Sequence, residues 1–186
     1  MDLLAIGSLI YLFAGDILPA APKEVLITPF KDAAGRYVER ADLTALCLTA
    51  ELFDLRRQGL ILIEGNGTVT YLKKSGSNQM PSPISDLAIR IIDALKSEAV
   101  KLSDFVKKFE NTKDTISIIY EDLKRLELVK KVEAKKFLFI KSPDFEFNRQ
   151  KIEPLENLVP QVQAKIENYK LDPGFNEILA QIKGVI

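Results

Sequence analysis

Histidine and tryptophan are absent from this chain of 186 residues, and cysteine occurs once, at Cys47. Zinc sites are assembled mostly from cysteine and histidine, so a structural zinc is excluded on ligand count. Histidine triads and histidine general bases are excluded with it. One cysteine cannot close an internal disulfide, which suits a reducing compartment and a cytoplasmic location. Set between Leu46 and Leu48, Cys47 is expected to be a buried, inert thiol. Net charge is missing too: 26 basic residues balance 26 acidic ones. That balance argues against a surface built wholly to coat nucleic acid.

Long hydrophobic runs are also lacking. The apolar stretch Leu3–Phe13 falls well short of the ~20 residues that cross a bilayer. Asp2 stands where a signal peptide would carry a basic residue. A core helix or strand is the expected role of this N-terminal segment (residues 1–17). The alternative is a membrane or oligomer contact through Leu9, Ile10, Leu12 and Phe13, the latter a route to a homo-oligomer.

Catalytic signatures are equally scarce. Gly65-Asn66-Gly67 does not continue into a dinucleotide fingerprint, and Lys74-Ser75 lacks the upstream glycine of a P-loop. No pattern brings two carboxylates together for acid–base work. A non-enzyme without a cofactor or metal is expected.

What is present is a weak repeat at a separation of 68 residues. Asp54–Ile61 aligns with Asp122–Val129, and Val69–Lys73 aligns with Phe137–Lys141. Each copy reads as a helix end, a short strand, a turn and a second strand. Gly65-Asn66-Gly67 supplies one turn and Glu133–Lys136 a looser one. A helix feeding a hairpin is the tail of a winged helix. The expected fold is therefore mainly α with short β-hairpins: two winged-helix-like lobes plus C-terminal helices.

The first lobe spans residues 18–75. Lys23–Thr28 reads as a short helix stopped by Pro29, Lys31–Gly35 as a turn, and Asp42–Arg57 as a helix apolar nearly all round, hence buried. A linker of Gly, Ser and Pro follows (76–84). The second lobe (85–142) holds a helix capped by Ser85 or Asp86 with Leu87, Ile91, Ile92 and Leu95 on its apolar face. A short helix with Phe105, Val106 and Phe109 comes next. A third helix, capped by Thr112, carries Ile116, Ile119, Tyr120, Leu123 and Leu126. The extension (143–186) has a stripe of Leu155, Leu158, Val159, Val162, Ile166 and Tyr169. Its last helix is capped by Asp172 and carries Phe175, Ile178, Leu179 and Ile182.

The second lobe and its wing are rich in cations, among them Lys124, Arg125, Lys130, Lys131, Lys135 and Lys136. An anionic lipid surface or nucleic acid could use them. Asp114, Glu121 and Asp122 on the third helix oppose phosphate, so nucleic acid is the weaker expectation and a mixed, solvated face the plainest one.

Three stretches resemble the Golgi phosphoprotein 3 family, which also has prokaryotic members. Lys23–Arg36 is similar to its opening pattern of acidic residue, apolar helix and aspartate–glycine turn. Leu52–Ile63 resembles its buried helix running through Gly59 into a strand. Leu123 through Leu138-Phe139 resembles its closing helix and hairpin. The resemblance spans roughly residues 20–145 and implies a largely helical, cytosolic, membrane-associating adaptor that binds proteins. Eukaryotic members recognise phosphatidylinositol 4-phosphate through a tryptophan and several arginines. This chain has no tryptophan, and Ile116, Ser117, Ile118 and Leu48 stand where those arginines fall, so phosphoinositide specificity does not carry over. The rival expectation is a tandem winged-helix protein in a DNA-binding, transcription or chromosome complex; a subunit of a membrane-remodelling complex is a third.

Overall fold

The computed structural model describes residues 4–21, 30–65, 67–72, 85–96, 98–131 and 145–186. It is mainly helical with a few short antiparallel strand pairs. The chain runs through α1 (Ile6–Leu12), α2 (Ala14–Ile17), β1 (Phe30–Lys31), β2 (Tyr37–Val38), α3 (Arg40–Arg57), β3 (Ile61–Ile63), β4 (Thr68–Tyr71) and α4 (Asp86–Leu95). It continues through β5 (Val100–Lys101), α5 (Leu102–Lys113), α6 (Thr115–Arg125), β6 (Val129–Lys131), β7 (Phe145–Phe147) and α7 (Arg149–Ile152). A 3-10 turn (Glu153–Leu158), α8 (Val159–Lys170) and α9 (Pro173–Lys183) complete it. The helix expected over 23–28 and the whole of the linker expected over 76–84 lie outside the described residues.

Helix α3 is the axis of the core. Twelve of its residues are buried, as expected of a helix with no broad polar face. Helix α1 packs on one side of it, α9 on another, and α4 and α6 also touch it. Phe53 of α3, Tyr169 of α8 and Phe175 of α9 form an aromatic triangle with ring centroids 4.9–5.6 Å apart. Such pairs add about 0.5–1.5 kcal/mol beyond their buried area. The C-terminal helices thus share the core that the two halves build, and one apolar cluster joins all of them.

The repeat is real at its helix ends. After α3, the Gly59 N–H donates to the Arg56 carbonyl at 3.0 Å and the Leu60 N–H to the Leu55 carbonyl at 3.0 Å. Sixty-eight positions later, Glu127 donates to the Lys124 carbonyl and Leu128 to the Leu123 carbonyl, at 3.0 and 2.9 Å. Both are Schellman endings, which need a left-handed residue after the helix and an apolar contact across it. Gly59 and Glu127 have φ of 67° and 58°. A glycine takes that conformation freely, whereas a glutamate is strained in it. Opposite outcomes are expected: Gly59→Ala lowers stability by about 1 kcal/mol, while Glu127→Gly raises the urea midpoint. Two shifts of the same sign would refute the shared cap geometry.

Strand β3 pairs with β4, as expected of the first hairpin. Strand β6 pairs with β7 in the register Val129↔Phe147 and Lys130↔Glu146; the strand expected over 137–141 lies outside the described residues. Strand β5 joins the first hairpin, completing the sheet β3-β4-β5 through Val69↔Val100. A segment assigned to the second lobe therefore finishes the sheet of the first. Helix ends show mixed agreement. Ser85 caps α4 by accepting from the Ala88 N–H at 2.9 Å, and Asp172 caps α9. Thr112 does not cap the third helix: α5 runs through it, and Asp114 caps α6 by accepting from the Ile116 N–H. Leu126 lies past the end of α6 and is 44% exposed, so it drops out of that stripe.

Candidate functional site

Two regions hold the site residues singled out from the sequence, and a third holds a group that was not. The first is α1. Leu9, Ile10, Leu12 and Phe13 are 0–3% exposed, packed mainly against α3 and α6. Burying each such side chain contributes about 1.5–3 kcal/mol. Bringing all four to a lipid surface or a second copy would first cost roughly 6 kcal/mol or more. The segment is a core helix in this fold and offers no contact surface. Among the described residues, no helix is long and apolar enough to cross a membrane.

The second region is the basic surface of α6 and its hairpin. Lys124 pairs with Glu121 at 3.1 Å, and Arg125 with Asp122 and, at 3.4 Å, with Asp86. Those two cations are engaged by carboxylates of the same surface. Asp122 is 5% exposed at its side chain and accepts from the Asp86 N–H at 2.8 Å, tying α6 to the start of α4. Burial pushes its pKa up, and the neighbouring Asp86 charge adds to the rise. Lys130 is exposed on β6. It borders a recess of about 230 Å³ shared with Glu146, Phe147, Asn148, Arg149 and Gln150. That volume is below the ~300 Å³ at which small-molecule sites begin. The side chain of Lys131, and Lys135 and Lys136 altogether, lie outside the described residues.

The third region was missed in the sequence. Glu51 sits on the inner face of α3 and is 4% exposed. Ser85, the cap of α4, donates its hydroxyl proton to Glu51 Oε1 at 2.8 Å. The other carboxylate oxygen, Oε2, accepts no hydrogen bond of ordinary geometry among the described residues, and the Gly7 amide of α1 beside it acts on the carboxyl only weakly. Burial pushes the carboxyl up to a pKa of about 7. The Ser85 hydroxyl pulls it down, Asp54 adds to the rise, and the Gly7 amide and Lys165 ease it slightly. One turn back, the Cys47 Sγ–H points to the Gly7 carbonyl at 3.5 Å. Burial drives that thiol well above its usual range, leaving it a poor nucleophile at neutral pH. The available signal was a lone acid between Ala50 and Leu52 on a helix with no polar face, where a charge has nowhere to be solvated.

Among the described residues, no cluster of three or more metal-ligating side chains occurs. No protein-family model, curated protein or solved structure matches the chain.

Proposed function

We propose that this chain is a non-enzymatic adaptor of the Golgi phosphoprotein 3 type, built from two winged-helix-like units, that binds proteins and turns its second hairpin toward an anionic membrane surface. The order α4, β5, α5, α6, β6, β7 supports the winged-helix part, with β5 lent to the neighbouring unit. The observation that carries the adaptor reading is the setting of α6. The helix where a groove-reading protein would present its contacts buries Ile116, Ile118, Ile119, Tyr120, Asp122 and Leu123. Its exposed positions mix Glu121 with Lys124 and Arg125, which disfavours a polyanionic duplex.

With α1 in the core, lipid attachment rests on charge alone, and a single signal of that kind gives marginal, reversible binding. Flotation on anionic liposomes is therefore expected at low salt and should fade as salt is raised. Each basic residue near such a surface contributes about 1 kcal/mol, so Lys130→Glu should weaken flotation roughly tenfold. Reversing Lys131, Lys135 and Lys136 as well should abolish it. Absence of flotation at low salt on phosphatidylserine vesicles would remove the membrane half and leave a protein-binding module.

A further inference from the structure

The core contains one acidic group that its surroundings do not pair with a cation. Glu51 is enclosed by α1, α3 and α4, with Leu87 and Ile119 at the contact with Gly7, and no ion pair reaches it among the described residues. We propose that Glu51 is a proton-controlled latch on α1: neutral, it lets the helix seat against α3, and on losing its proton it makes the start of α1 open more often.

The geometry assigns the movement to α1 rather than to its neighbours. Helix α4 is held at its N-terminus by Ser85 and by Asp122 from α6. Helix α3 is the buried axis. Helix α1 has seven residues, no side-chain cap at Ala5, and no charged residue in its first or last turn. All seven of its residues are buried, so opening is rare, but a helix this short breaks few backbone hydrogen bonds when it opens. The far end of α1 is pinned, because α2 is tied to the β1–β2 hairpin through the Gly15 N–H and Asp16. Opening is thus a swing of Ile6–Leu9 about Phe13. It makes room for water at Oε2, which an ionised carboxylate with one full donor, Ser85, requires. Apolar packing keeps the docked state dominant, so ionisation raises the frequency of opening and does not expel the helix.

The titratable and charged groups on the packed elements do not substitute for this control. They include Tyr11 on α1, Cys47 and Asp54 on α3, Asp86 on α4, Tyr120 and Asp122 on α6, and Lys165 on α8. Asp54 and Lys165, the two charges that Glu51 feels, are bridged to each other at 2.8 Å. Asp86 and Asp122 are engaged with Arg125. Tyr11 and Cys47 are held protonated by burial well past neutrality.

Cys47 makes the latch measurable, because it lies under Gly7 and is the chain's single cysteine. Its alkylation rate would be followed from pH 6 to 8.5 in the full chain, divided at each pH by that of an unstructured cysteine peptide. A corrected rise of about tenfold is expected, most of it below pH 7.5 and then a plateau, since opening gains only while the docked carboxyl holds its proton and the opened one has lost it. Glu51→Gln, which cannot ionise, should stay flat. Backbone hydrogen exchange in the unaltered chain is the second measurement, with protection lost at high pH over residues 6–9 and kept in α9. A flat corrected rate in the unaltered chain overturns the latch. So does an equal rise in Glu51→Gln, or a loss of protection in α9 to the same extent as in α1.

Discussion

Replacing Asp32 with alanine is expected to cost about 3 kcal/mol of folding stability, read from the urea midpoint. The Asp32 side chain is fully buried and collects four donors in a small volume. It accepts from the Gly15 N–H at 2.9 Å, from the Arg36 N–H at 2.8 Å and from Arg36 Nε at 3.1 Å. The second guanidinium nitrogen completes an ion pair at 2.9 Å. An alanine leaves two backbone amides without acceptors, and each buried orphan costs about 1–3 kcal/mol. The ion-pair part is discounted because Arg36 is 40% exposed and keeps Asp16 as a partner. Asp32→Asn should fall between the two, since one amide oxygen still accepts. Gly15→Ala reaches the same network from the other side. Its Cβ would stand 2.6 Å from Arg36 Nε and 2.8 Å from Asp32 Oδ2, so the two substitutions should be strongly non-additive. A loss below 1 kcal/mol for Asp32→Ala would show that this hub does not hold α2 to the hairpin.

How much of this was legible in the sequence depended on whether the physics was local. Helix caps were readable at Ser85 and Asp172 because the capping side chain lies within three residues of the amide it satisfies. The two Schellman endings were readable as a repeat because Leu55 and Leu60, like Leu123 and Leu128, must be apolar to close the cap. The pattern survived the exchange of Gly59 for Glu127. The burial of α3 followed from its composition. Thr112 and Asp114 are both good capping residues two positions apart, and local preference alone could not choose between them. The first hairpin was readable because its turn residues stand between its two strands, and β3 pairs with β4. The pairing of β6 with Phe145–Phe147 was not, because that partner lies beyond a local turn and such pairing is non-local. Two-residue β5 carried no periodicity to assign it to a sheet. At the candidate surface, Glu121 and Asp122 were visible as acids one turn before Lys124 and Arg125 on the same helix. The contact of Arg125 with Asp86 was not, because it depends on α4 and α6 lying side by side. Glu51 was in plain view, yet its meaning rests on Gly7 and Ser85, more than thirty positions away in each direction.

Glu51 also sets the second large expected effect, on how stability varies with pH. In the unfolded chain its carboxyl titrates near the usual 4.5, and in the folded chain at about 7. Below pH 4.5 both states hold the proton and the residue adds no penalty. Between those values the unfolded state ionises while the folded state does not, so stability falls as pH rises. Above pH 7 both are ionised and the full penalty remains. A displacement of one pKa unit is worth about 1.4 kcal/mol, which puts the total loss near 3 kcal/mol for so completely buried a group. Glu51→Gln keeps an acceptor for Ser85 and removes the charge. The stability of this variant relative to the unaltered chain should therefore grow by about 3 kcal/mol between pH 4.5 and 7.5 and then level off. Taking the difference between the two proteins matters, because Glu110 and Asp122 are also raised by burial and tilt both pH profiles the same way. Opening of α1 sets a ceiling on the effect: the penalty cannot exceed the cost of letting water reach Oε2. A difference that stays constant across this range would mean that Glu51 is ionised at every pH tested, and that the Gly7 and Ser85 amide and hydroxyl dipoles outweigh its burial.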